Sequence, residues 1–141
     1  MGSLDDLKIL DFSTLLPGPY ATLMLADMGA EVLKISSASR PDIVLDYPPF
    51  IGDTGVSASQ AWLGRNKKTM FLNLKTGEGK AVVKELVKEY DIVLEQFRPG
   101  VMEKLGLGYE DLKAVNPKLI YCSLTGYGQT GPCLLYTSDA A

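Results

Sequence analysis

Between Leu7 and Ile35 the chain reads strand, tight turn, helix, glycine, strand. The run Leu7-Lys8-Ile9-Leu10-Asp11-Phe12 is apolar enough for a short buried strand, and Ser13-Thr14 followed by Pro17-Gly18-Pro19 stops it. Pro19 suits a first helical turn, where the amide that proline lacks has no intrahelical partner to miss. Tyr20 to Met28 carries small and apolar residues, and Gly29 is placed to end the helix in a left-handed conformation. Glu31 to Ile35 forms the second strand. The whole is a right-handed βαβ unit, and it commits the chain to an open, mostly parallel sheet.

The same alternation continues downstream. Ser36 to Gln60, rich in Ser, Pro, Gly and Asp, predicts a long surface excursion of the kind that covers a site. Past Trp62, the basic patch Arg65-Asn66-Lys67-Lys68 leads into a strand predicted over Thr69 to Lys75, where Met70, Leu72 and Leu74 alternate with Phe71 and Asn73. Thr76 can cap a helix whose apolar positions are Val83, Leu86, Val87 and Tyr90. Asp91 to Phe97 is a strand, followed by the turn Arg98-Pro99-Gly100 and a short helix, Val101 to Leu105. A second short helix near Glu110 to Val115 ends at Asn116-Pro117. Leu119 to Leu124 is a further strand, running into the glycine-rich Gly126 to Pro132. No internal repeat interrupts this α/β pattern, so one domain or part of one is expected.

Charge and residue usage narrow the chemistry. Fourteen Lys plus Arg against seventeen Asp plus Glu give a net charge of −3, which offers no footprint for nucleic acid. The acidic N-terminus precedes no long apolar run, arguing against a leader or a membrane span, and Asp6 sits where a myristoylation motif needs Ser or Thr. Cys122 and Cys133, with no histidine anywhere, fit neither a zinc site nor a disulfide framework, and a reducing cytoplasm is expected. Ser-His-Asp and Cys-His mechanisms are excluded from this stretch, leaving carboxylate, Lys, Tyr or Cys as reactive groups. Cys122 lies in an apolar strand and reads as core.

Several segments carry two readings. Pro17-Gly18-Pro19 opens a helix where an anion could bind, yet it lacks the Gly-x-Gly-x-x-Gly pattern and its prolines remove donors; a plain tight turn fits as well. The second strand ends in Ser36, so no ribose-binding carboxylate is visible. Arg65, Lys67 and Lys68 either grip phosphates or solvate a strand edge. Phe97 beside Arg98 and Lys104 either stacks on a purine or fills the core. Gln96 to Gly100 falls just past the C-terminal end of a strand, where open α/β sheets bind ligands. Gly126 to Pro132 follows another strand end and either donates main-chain N–H groups or simply connects elements.

Six segments in this order resemble the class III coenzyme A transferase family, which includes formyl-CoA and carnitine CoA-transferases and the related α-methylacyl-CoA racemases. They are Leu10 to Ser13 with Pro17 to Ala21, Leu25 to Val32, Arg65 to Lys68 with Leu72 to Lys75, Phe97 to Val101, Leu105 to Gly108, and Gly126 to Pro132. The resemblance implies a Rossmann-like CoA-binding domain, of which residues 1–132 are the N-terminal part, in interlocked homodimers that work in the cytoplasm. It implies no permanent cofactor and no metal: the CoA thioester is substrate, and acyl-CoA and a carboxylic acid are the partners. An aspartate attacks the thioester, giving an acyl-aspartyl anhydride and then an aspartyl-CoA thioester that the acceptor acid resolves.

By the same resemblance Gln96, Phe97, Val101, Lys104 and Leu72 line the CoA nucleotide site. Gln96 stands where Asn is frequent and Lys104 where Arg is common. Leu16 and Ala38 replace polar or basic CoA-contacting residues of formyl-CoA transferase, and Arg40 lies two positions from that basic site. The nucleophile is expected beyond Pro132, but Asp139 lacks the glycine pair that precedes it in the family and is not assigned the role. Residues 133–141 read as a foreign tail. Two other readings stay open: proton transfer of the racemase type, and a CoA-binding or unfolded fragment without activity.

Overall fold

The computed structural model describes residues 2–134. Five strands, β1 (Lys8–Asp11), β2 (Glu31–Ser36), β3 (Lys67–Phe71), β4 (Ile92–Glu95) and β5 (Ile120–Ser123), form one sheet in the order β3-β2-β1-β4-β5. Every pairing is parallel. Helices α1 (Pro17–Asp27), α2 (Ala58–Leu63), α3 (Gly77–Val87), α4 (Val101–Leu105) and α5 (Tyr109–Lys113) connect them. This is the α/β, Rossmann-like arrangement anticipated from the alternation of strands and helices.

From β1 the chain steps outward to β2 and β3, then returns to the other side for β4 and β5. Right-handed crossovers therefore put the first connections on one face and the later ones on the other. The core divides accordingly. Ile9 and Val32 pack with Ala26 of α1, while Leu10, Leu33, Ile35 and Val93 pack with Val83 and Val87 of α3, Met102 of α4 and Leu112 of α5. Strands buried on both faces show continuous apolar runs, which is why β1 and β4 carry little alternation.

Local signals placed most elements. Gly29 has the expected positive φ, and the Thr76 side chain accepts from the Gly79 N–H to cap α3. α1 begins at Pro17, two residues before Pro19. The excursion holds a 3-10 turn, Ile43–Asp46, capped by Asp42, and α2, capped by Ser57.

Two expectations need correction. β3 runs over Lys67–Phe71 rather than Thr69 to Lys75, because its partner β2 ends at Ser36, opposite Phe71. Lys67 and Lys68 are thus strand residues, and Asn73 to Lys75 belong to the turn before α3. Cys122 is exposed, not core. It sits on edge strand β5, and its neighbours Tyr121 and Ser123 point to the opposite face, the one that the connections after β3 cover. Ile120, on the same side as Cys122, is exposed as well. Among the described residues no helix is long and apolar enough to cross a membrane. The tail beyond residue 134, with Asp139, lies outside the described residues.

Candidate functional site

The strand order reverses between β1 and β4, and in an open α/β sheet the crevice outside the C-terminal strand ends at such a reversal is the usual ligand position. Across it the Gly18 N–H donates to Gln96 Oε1 at 3.0 Å, tying the first turn of α1 to the end of β4. Glu95, buried beneath, accepts the Phe97 N–H at 2.8 Å and so holds the turn that carries Gln96 and Phe97. Burial pushes the Glu95 carboxyl upward, against the hydrogen bonds from Ser123 and Phe97.

The six residues expected to line a CoA site all fall at this edge, in two groups. Gln96, Phe97, Val101 and Lys104 form one run from β4 into α4, with Phe97 half-buried against the core and Lys104 exposed in the last turn. Leu72 follows β3, its N–H bonded to Ser36 O at 2.9 Å, and exposed Arg40 follows β2 in a bridge with Ser37. From β3 to β4 is three strand spacings, roughly 14 Å, so the two groups could meet only an extended ligand. A cavity of about 480 Å³ lies between β2, β3 and the excursion, and none of the six residues lines it.

The basic patch is split between surface and interior, with Arg65 and Lys68 exposed and the Lys67 side chain buried. Arg65 pairs with Asp27, Lys68 lies 3.6 Å from Glu31, and Lys67 is drawn inside. Lys67 Nζ donates to Pro19 O at 2.6 Å and Thr22 Oγ1 at 2.8 Å and lies 3.7 Å from Asp11 Oδ2. Asp11, fully buried, accepts from the Ser13 N–H and hydroxyl and from the Thr22 hydroxyl. This network under the α1 turn was not anticipated. Its signal was a charge inside an apolar strand, Asp11 in β1 and likewise Lys34 in β2.

Burial pushes the Lys67 ammonium down from its ordinary 10.5 to about 8, opposed by Asp11 and assisted by Lys34. Between those values the unfolded chain holds a proton that the folded chain has lost, so this group makes stability rise with pH from about 8 to 10.5. Wild type is expected to gain on the order of 2 kcal/mol over Lys67→Met across that window, read from urea unfolding at a series of pH values. Parallel curves for the two proteins would mean that the ammonium is solvated.

Comparison with known proteins gives one consistent result. The family described as CoA-transferase family III matches residues 4–136. The chain is 41% identical over 135 residues to the acetyl-CoA:oxalate CoA-transferase of Acetobacter aceti, covering 96% of this chain and 34% of that protein. It is 43% identical to the succinyl-CoA:glutarate CoA-transferase of Homo sapiens, covering 92% and 29%. A solved CAIB/BAIF family protein from Brucella suis superposes with a TM-score of 0.89 at 40% identity, over 96% of this chain and 36% of that one. The chain thus spans about a third of the length of the relatives it matches.

Proposed function

The chain belongs to CoA-transferase family III, and from that premise we propose that it supplies the CoA-binding edge of an enzyme that moves CoA between carboxylic acids. The observation that carries the reading is the Gly18–Gln96 bond across the β1–β4 reversal, with four of the six expected residues, Gln96 among them, in one run beside it. The Phe97 ring would stack on the adenine, Lys104 and Arg40 would meet phosphates, and Gln96, Val101 and Leu72 would line the remainder. The two groups are far enough apart to suit a ligand as long as CoA.

In the whole protein, an aspartate beyond Pro132 would attack the acyl-CoA carbonyl and expel the CoA thiolate, leaving an acyl-aspartyl anhydride. The thiolate then attacks the aspartyl carbonyl and releases the first acid. The acceptor carboxylate attacks the resulting thioester, and CoA completes the exchange on the acceptor's acyl carbon, regenerating the aspartate. Each step exchanges one acyl bond for another, so the sequence balances without an oxidant or reductant. The reading extends to a cytoplasmic homodimer without a permanent cofactor.

Calorimetric titration of the 141-residue chain with CoA tests the binding half. Saturable heat is expected, weakened at least fivefold by Phe97→Ala and by Lys104→Glu. No heat from a chain that melts cooperatively would sink it. For the whole protein, mass spectrometry should find an acyl or CoA adduct on an aspartate. Exchange of the substrate's α-proton without an adduct would point instead to racemase-type chemistry.

A further inference from the structure

Leu15, between β1 and α1, has φ of 61°, a left-handed conformation that a leucine side chain disfavours. Such a conformation persists only where its surroundings impose it, and it concentrates at functional sites. Here the imposing group comes from the excursion. Asp42, buried, accepts the Leu15 N–H with both oxygens, at 3.2 and 3.1 Å. It also accepts the Val44 N–H at 3.3 Å, which fixes its own loop. Its charge is held by Lys34 Nζ at 3.0 Å, and both side chains are less than a tenth exposed. Lys34 stands on β2, so the carboxylate is anchored to the sheet rather than to a mobile surface.

Three residues after Leu15 comes Gly18, whose N–H reaches Gln96 across the crevice. The direction in which the chain leaves Leu15 therefore sets where α1 starts and whether Gly18 meets Gln96. We infer that Asp42, fixed by Lys34, is a positioning residue for the ligand crevice: it holds Leu15 left-handed and so delivers the β1–α1 turn to Gln96. The long excursion then has a task apart from covering a site, since it carries the carboxylate that shapes the turn. The inference rests on the crevice being the CoA site only in its binding readout.

The test uses the 141-residue chain with CoA as the probe and amide hydrogen exchange at Leu15 as a readout independent of any ligand. The paired change Lys34→Met with Asp42→Ala removes the clamp without leaving a buried ammonium alone. It should speed Leu15 exchange at least tenfold and weaken CoA binding about tenfold. Adding Leu15→Gly, which occupies the left-handed region without strain, should restore affinity to within threefold while exchange stays fast; a purely structural ion pair would not be rescued this way. Unchanged Leu15 exchange in the paired variant, or absence of rescue, overturns the inference. Should the paired variant not fold, Asp42→Asn keeps the shape and loses the charge, and it must still speed Leu15 exchange at least threefold; an unchanged rate overturns the inference equally. If wild type binds no CoA, the crevice reading fails, and the exchange result alone judges the clamp.

Discussion

Replacing Asp11 with alanine is expected to lower the unfolding free energy by about 3–5 kcal/mol. The carboxylate lies at the end of the central strand with no solvent contact and accepts from the Ser13 N–H at 2.8 Å and the Thr22 hydroxyl at 2.5 Å. Its removal leaves the Ser13 N–H and hydroxyl buried without their acceptor and takes the counter-charge from the Lys67 ammonium, which keeps Pro19 O and Thr22 Oγ1, while the Thr22 hydroxyl keeps Gly18 O and Pro19 O. Each orphaned neutral group costs about 1–3 kcal/mol, and the charge adds to that. Domains of this size are stable by only about 5–15 kcal/mol, so the loss is a large fraction of the total. Urea unfolding followed through Trp62, the single tryptophan, should show a lower midpoint with little change in slope. The double change Asp11→Leu with Lys67→Met removes both charges together and should cost less than Asp11→Ala alone. A loss below about 1 kcal/mol for Asp11→Ala would contradict the buried network.

Gly18→Ala should abolish most ligand binding while the rest of the sheet survives. A methyl group at Gly18 would overlap Ser13 Cβ and Oγ and come within 2.8 Å of Gln96 Oε1. Ser13 cannot retreat, because it is fully buried and its amide and hydroxyl are both tied to Asp11. The first turn of α1 must therefore lift from β1, breaking the Gly18–Gln96 bond. Overpacking of this kind costs about 1–3 kcal/mol, and CoA affinity should fall at least tenfold. Gly77→Ala is the control: nothing lies within 4 Å of the added methyl at the start of α3, so its effect should be neutral or slightly stabilising. Equal behaviour of the two variants would remove Gly18 from the crevice argument.

Much of the candidate site was legible because its residues follow strand ends. Gln96 and Phe97 come immediately after β4, and the turn chemistry of Arg98-Pro99-Gly100 marks that end in the sequence itself. The basic patch divides: Arg65 and Lys68 stay exposed beside edge strand β3, as a solvated strand edge requires, and Lys67 alone turns inward. Arg65, Lys67 and Lys68 look free when only their neighbours in the chain are considered, and their partners Asp27, Asp11 and Glu31 come from α1, β1 and β2. Cys122 was placed in the core because an apolar strand hides which of its faces is covered. That depends on the strand's place at the sheet edge.

Apolar runs, turn residues and caps act over a few residues, so the sequence by itself determined the alternation of strands and helices, the parallel sheet that follows from it, and the strand ends where a ligand would bind. Partner choice was decided only in three dimensions. The Gly18–Gln96 bond joins residues 78 apart, and the Asp42 clamp on Leu15 joins residues 27 apart. Whether a charge in an apolar strand is solvated or paired depends on which strand lies beside it, and that is set by packing across the whole sheet.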